Sequence, residues 1–159
     1  MTLRIAVESP VSEDGRALIA ASQEYLLTVF GPEGIFSMSP EELAAPGIAF
    51  YIARDGGALG CVASVDCGDY VEVKRLFVPP SGRGRGVARA LMGRLERDAL
   101  AAGKEAVRLE TGSELVGAVT LYRARGYSVC GPFGDYTEHP ASLFMEKPLQ
   151  PFSGASSVD

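Results

Sequence analysis

Residues 78–96, VPPSGRGRGVARALMGRLE, decide how the chain is read. Two prolines and three alternating glycines, interleaved with two arginines, run straight into an apolar-periodic segment. Ala88, Leu91, Leu95 and Ala99 keep the i, i+3, i+7, i+11 spacing of one helix face, ending near Gly103. Glycines at the start of a helix expose backbone N–H groups, and the helix end adds about half a positive charge, so phosphate is the natural guest. Gly82-x-Gly84-x-Gly86 does not match the dinucleotide fingerprint G-x-G-x-x-G, and no G-x-x-x-x-G-K-[ST] occurs, which sets aside nicotinamide and P-loop readings. A bare RGRG also reads as a disordered RNA-contacting run; here a strand and a periodic helix flank it.

The 159 residues, 47% hydrophobic, suffice for one domain with a substantial core and are too few for two. The expectation is one domain over 1–149 and a disordered tail over 150–159, where QPFSGASSVD is polar and built of small residues. No apolar run approaches the roughly 20 residues that span a bilayer, and MTLRIAVESP lacks the core of a signal peptide. A cytoplasmic protein with no membrane partner is expected. Cys61, Cys67 and Cys130 are odd in number without Cys-x-x-Cys spacing, so buried reduced thiols are expected, with no disulfide framework and no zinc site.

The net charge of −5 is unevenly spread. Residues 74–108 hold nine of the fifteen Lys/Arg and three of the twenty Asp/Glu, a balance of +6 against −11 elsewhere. Such a pattern fits a local anionic ligand and a cationic partner rather than nucleic acid. Arg94 and Arg97 also read as a solvated helix face; Arg83 and Arg85, in a glycine loop, do not.

Leu3–Val7 reads as a strand and 13–30 as a helix with Leu18, Ser22, Tyr25 and Val29 on one face. GPEGIFSMSP (31–40) is loop, followed by a short helix at 40–45. The β-rich runs GIAFYIARD and ALGCVASVD meet at Asp55-Gly56-Gly57, a hairpin signal. YVEVKRLFV follows as a third strand. After the glycine loop and its helix come a strand AVRLE, a helix Glu114–Arg125, and strands GYSVC and SLFMEKPL. A meander followed by helix, strand, helix, strand, strand implies a three-layer α/β domain with a mixed, mostly antiparallel central sheet flanked by helices.

Arg83-Gly84-Arg85-Gly86-Val87-Ala88, an R-x-x-G-x-A loop after VKRLFV, resembles the pyrophosphate loop of the GNAT superfamily of acyl-CoA-dependent N-acyltransferases. LVGAVTLYRARGY is similar to the family's second signature, an A-x-x-L-Y helix leading to a Gly-aromatic strand, so the resemblance covers about Ile48 to Leu149. It implies acetyl-CoA as cosubstrate and no metal. Gly84, Gly86 and the arginines Arg83 and Arg85 would hold the pyrophosphate together with Val87, Ala88 and Arg89 at the helix start, and the pantetheine arm would lie along Leu76, Phe77 and Val78 as an added strand. The family's strand is splayed there by a bulge, which would free a backbone N–H for the thioester oxyanion.

Amine acetylation needs a base, because an alkylamine of pKa about 10.4 is protonated at neutrality. Glu72, at a register where several family members carry a glutamate, is the candidate, on a strand face shared with Lys74, Leu76 and Val78; an ion pair with Lys74 or Arg75 is the alternative. Tyr122 matches the family's tyrosine and would protonate the leaving thiolate. Leu115, Ala118, Val119 and Tyr122 fall on one helix face, as a core tyrosine also would. Leu115 stands where members often have Asn. Loops 31–40 and 131–140 would rim the acceptor side with Glu33, Asp135, Tyr136 and Glu138, while His139 reads as a loop residue. The implied activity is acetyl transfer to a small-molecule primary amine in a ternary complex. Protein acetylation and a non-catalytic acyl-CoA sensor are the alternatives, and a homodimer is left open.

Overall fold

The computed structural model describes residues 2–32 and 38–150. Glu33 and all but the first residue of the tail expected to be disordered lie outside the described residues. The element order is β1 (Arg4–Val7), α1 (Glu13–Phe30), α2 (Pro40–Leu43), β2 (Ile48–Asp55), β3 (Gly57–Asp66), β4 (Tyr70–Phe77), α3 (Val87–Ala101), β5 (Ala106–Gly112), α4 (Val116–Ala124), β6 (Ser128–Cys130) and β7 (Ser142–Pro148). A single 3-10 turn, Pro80–Gly82, separates β4 from α3. The strands form one seven-stranded sheet in the order β1-β2-β3-β4-β5-β7-β6, flanked by helices. This is the mixed α/β class that the order of elements implies. Helix α4 starts two residues later than its periodicity suggests, at a Leu115 cap with no side-chain hydrogen bond.

Two compact groups of residues make up the chain. The first gathers the residues up to Asp66 with Val73–Leu95. Here β1 pairs antiparallel with β2, and β2 with β3. Gly56 turns the hairpin in the left-handed region, φ +84°, where the lack of a Cβ removes the strain. Helix α1 opens at Ser12, whose hydroxyl accepts from the Gly15 amide at 3.0 Å, and Glu13 and Asp14 face the positive helix end. Helix α2 opens on a reciprocal capping box between Ser39 and Glu42. Leu18, Ile19, Leu43, Phe50, Ile52, Cys61, Ala63 and Phe77 form the core. The buried stripe of α1 is Leu18, Ile19 and Ser22; Tyr25, expected on it, is exposed at its tip and meets the Phe77 ring at 6.3 Å.

The second group joins Cys67–Glu72 to the residues from Glu96 on. In it β7 pairs antiparallel with both β5 and β6. Val107, Leu109, Tyr122, Tyr127, Phe144 and Met145 are buried. So are two acids, Glu72 and Glu96; Glu96 receives Arg125 at 2.6 Å, Lys147 at 3.0 Å and the Tyr127 hydroxyl at 2.8 Å. A buried carboxylate persists only with such compensation. The three cysteines are free; Cys61 is buried as expected, with burial pushing its thiol up to about 12, whereas Cys67 and Cys130 are only half-buried.

Candidate active site

The glycine loop takes its shape from three close approaches. A Cβ on Gly82 would lie 2.5 Å from the Leu59 carbonyl oxygen, and one on Gly60 would lie 2.9 Å from Val87 Cγ1 and 3.0 Å from the Phe77 carbonyl oxygen. Only glycine lets β3, the end of β4 and the first residue of α3 meet so closely. Gly84 and Gly86 differ: both have φ +75°, and a Cβ on either would meet nothing within 4 Å. Their glycine requirement is conformational, and the space before them is open. The Ala90 amide bonds the Gly86 carbonyl at 3.0 Å, so the amides preceding it stand outside the helical ladder's i to i−4 pattern. The loop fits a diphosphate: amides at a helix N-terminus, left-handed glycines and no side chain in the way.

The loop arginines make protein contacts of their own. Arg83 Nε donates to the Val78 carbonyl at 3.1 Å, with its guanidinium 6.0 Å from the Tyr25 ring centre. Arg85 pairs with Asp55 at 3.3 Å. Arg89 is exposed on the first turn of α3, Val87 is buried and Ala88 half-buried. Phe77 is buried, and Leu76 and Val78 are half-buried.

Within β4 the chain has a left-handed residue that is not glycine: Arg75, φ +58°. Such a residue costs about 1–2 kcal/mol and breaks the period-two alternation of a strand. The face expected to run from Glu72 through Lys74 and Leu76 to Val78 therefore does not continue across Arg75, and Val71, Glu72 and Val73 are all buried in succession. The Arg75 guanidinium holds the kink by donating to Ser22 Oγ at 2.6 Å, Gln23 Oε1 at 3.0 Å and the Met38 carbonyl at 3.0 Å. These acceptors are all neutral, and burial lowers the Arg75 pKa from its ordinary value.

Glu72, 8% exposed, accepts a hydrogen bond at Oε2 from the Tyr136 hydroxyl at 2.5 Å. Tyr136 was expected at the acceptor rim; its direct bond to Glu72 was not. Of the two ion pairs expected as the alternative for Glu72, with Lys74 or with Arg75, the one with Arg75 is not formed: its terminal nitrogens bond Ser22, Gln23 and the Met38 carbonyl, and its Nε has no hydrogen-bond partner among the described residues. Tyr122 is buried, with burial pushing its phenol well above the usual range. Among the described residues its hydroxyl makes no hydrogen bond. Its edge-on neighbour Tyr127 is committed to Glu96 instead. Glu72, Tyr136 and Tyr122 all belong to the second group of residues and the glycine loop to the first.

The Acetyltransferase (GNAT) family model matches residues 16–127. The chain belongs to the GNAT acetyltransferase family. It is 43% identical over 148 residues to an IAA acetyltransferase of Azospirillum brasilense, covering 91% of this chain and 97% of that one. A Bacillus subtilis protein named as an uncharacterized N-acetyltransferase, YsnE, is 34% identical over 142 residues, covering 85% and 94%. Among solved structures, a provisionally named acyl-CoA N-acyltransferase of Klebsiella pneumoniae has a TM-score of 0.78 at 30% identity, covering 93% and 98%. The PaiA N-acetyltransferase of Thermoplasma acidophilum, solved with coenzyme A, shares the fold at a TM-score of 0.72 and 20% identity, covering 93% of this chain and 99% of that one.

For a GNAT acetyltransferase, the charge pattern of the sequence needs correction. Much of the basic segment is used internally: Arg94 donates to the Ile5 carbonyl at 2.7 Å and lies 5.5 Å from the Tyr51 ring centre, so it is no solvated face. Arg108 pairs with Glu146 and stacks on Tyr70 at 4.5 Å. His139 accepts the Ala141 amide at Nδ1, 3.0 Å, as a loop-shaping residue. Among the described residues no group of three or more His, Cys, Asp or Glu could hold a metal ion, and no helix is long and apolar enough to cross a membrane.

Proposed function

We propose that this GNAT protein transfers the acetyl group of acetyl-CoA to the primary amine of a small molecule by direct attack in a ternary complex. The observation that carries the reading is the pair of left-handed glycines, Gly84 and Gly86, opening onto free space at the start of α3. In this reading Arg83 through Arg89 hold the pyrophosphate through backbone amides, helix end and guanidinium charge. The backbone of Leu76, Phe77 and Val78 pairs with the pantetheine arm, and the kink at Arg75 separates the strand edge at the acyl group. Glu72 takes the proton from the acceptor nitrogen. Tyr122, uncommitted among the described residues and held protonated by burial, gives one to the departing thiolate. Nitrogen attacks the thioester carbonyl carbon, the carbon–sulfur bond breaks, and the products are the amide and coenzyme A.

A small-molecule acceptor is supported by the Azospirillum relative, whose name carries the acceptor IAA. The deciding experiment is release of free thiol from acetyl-CoA in the presence of a panel of primary amines, amino acids, peptide N-termini and IAA. Turnover with a small amine and none with peptides supports the reading. Turnover with peptides alone makes this a protein acetyltransferase, and none with any acceptor, despite acetyl-CoA binding, makes it a sensor.

A further inference from the structure

We propose that Arg75 is a positioning residue: its planar guanidinium ties the kinked strand end that would carry the acyl group to α1 and to the stretch leading into α2, so that amine and thioester carbonyl meet in one set geometry. This deepens the proposed reaction and rests on the acyl donor lying along Leu76 to Val78. Every residue the proposal uses belongs to the first group. The backbone at Arg75 is left-handed, φ +58°, a conformation that an arginine adopts only under constraint. The constraint acts at two points. The buried Cys61 thiol of β3 donates to the Arg75 carbonyl at 3.3 Å. The guanidinium donates to Ser22 Oγ at 2.6 Å and Gln23 Oε1 at 3.0 Å on α1, and to the Met38 carbonyl at 3.0 Å just before α2. Met38 ends the 31–40 loop that would rim the acceptor side.

A side chain selected only to hold the fold together would look different. Arg75 is half-buried, its three acceptors are neutral, and it makes no ion pair among the described residues. Its Nε is buried without a hydrogen-bond partner there. Burying a guanidinium without an anion costs stability, and an apolar side chain of similar volume would pack more favourably. What the arrangement supplies is geometry. The donors of a guanidinium are fixed relative to one another in a rigid fork, and here that fork joins three acceptors on two segments to the residue at the kink itself. A displacement of α1 or Met38 is therefore a displacement of the strand end, and the reverse. Acyl transfer between two bound partners is sensitive to such shifts, because a misplacement of about 1 Å slows a step on the order of 10²-fold.

The test is steady-state kinetics of full-length Arg75→Gly and Arg75→Lys with acetyl-CoA and the best acceptor of the amine panel, with the folded fraction measured by circular dichroism. Glycine takes φ +58° without strain, so Arg75→Gly removes the tie and keeps the kink permitted. In it kcat per folded molecule should fall on the order of 10²-fold while the KM for acetyl-CoA stays unchanged. Arg75→Lys keeps the charge without the fork and should lose kcat to a similar extent. Should Arg75→Gly not fold, the double variant Ser22→Ala/Gln23→Ala removes two of the three acceptors and reads the same split. Wild-type kcat per folded molecule in Arg75→Gly, or in the double variant standing in for it, makes Arg75 a support of the fold only, and wild-type kcat in Arg75→Lys makes charge rather than geometry its contribution. An acetyl-CoA KM that rises with the loss of kcat makes it a cofactor-binding residue. Each of these overturns the proposal and leaves the proposed reaction standing, whereas a wild type without turnover on any acceptor overturns both.

Discussion

Tyr122 and Tyr127 stand edge-on with ring centres 5.7 Å apart, yet only one of them has its hydroxyl engaged: Tyr127 donates to Glu96, and Tyr122 has no hydrogen-bond partner among the described residues. The two Phe variants should therefore separate stability from chemistry. Tyr127→Phe removes a hydrogen bond to a charged group and should cost about 2 kcal/mol of folding stability with turnover near wild type. Tyr122→Phe should leave stability within about 0.5 kcal/mol and slow acetyl transfer on the order of 10²-fold, less for donors with a more acidic thiol. Urea unfolding and steady-state kinetics on both variants check this; wild-type turnover in Tyr122→Phe removes the residue from the mechanism.

The Glu96 cluster predicts an acid-sensitive fold. Burial raises the Glu96 pKa, but hydrogen bonds from Arg125, Lys147 and Tyr127 outweigh it, and the net value lies below the ordinary 4.5. A carboxyl depressed in the folded state adds stability above its unfolded pKa and loses it as pH falls through the folded one. The contribution should be full at neutrality and decline from about pH 4.5 downward. Glu96→Gln leaves Arg125 and Lys147 without their shared anion and should cost about 3 kcal/mol at pH 7, with a smaller difference from wild type at pH 3. Equal losses at both pH values would mean that packing, not charge, is what Glu96 contributes.

Elements set by local chemistry were legible in the sequence: the hairpin at Gly56, the helix over 13–30, the glycine loop and the α3 stripe. Glu96 could have been found too, since it adjoins that stripe, next to Leu95 and about one helical turn from the buried Met92 and Ala99, where an acid must be paired. The kink at Arg75 could not. Nothing in YVEVKRLFV marks a left-handed residue, and what holds it, Ser22 and Gln23, lies 53 and 52 positions away. Tyr136 and Glu72 are 64 positions apart, so their bond is a product of topology rather than pattern. The arginines of the basic segment misled for the same reason: charge is visible in a sequence, but the carbonyls and rings that absorb it are not.

Gly82 and Gly84 should respond oppositely to the same substitution. Ala at Gly82 would force a Cβ against the Leu59 carbonyl and should cost about 1–3 kcal/mol through the loop's packing. Ala at Gly84 has room and should cost only the left-handed strain, about 1 kcal/mol. Chemical unfolding of both variants measures the difference; equal losses would show that conformation, not contact, fixes Gly82.

Gly86 tests the cofactor position most directly. With φ +75° and open space before it, Gly86→Ala and Gly86→Glu carry the same backbone strain and differ in what they place in front of α3. A saturating ligand at about 100 times its Kd adds about 2.7 kcal/mol, which for a chain of this size raises Tm by roughly 5–11 °C. Acetyl-CoA should therefore raise Tm strongly in wild type and still measurably in Gly86→Ala. In Gly86→Glu a carboxylate stands where the pyrophosphate would lie, and two anions cannot share one helix end, so the rise should vanish. Because the strain is common to both variants, its effect on the apo Tm cancels in the comparison. An undiminished rise in Gly86→Glu would move the cofactor away from this loop and, with it, the assignment of the pantetheine strand along Leu76 to Val78.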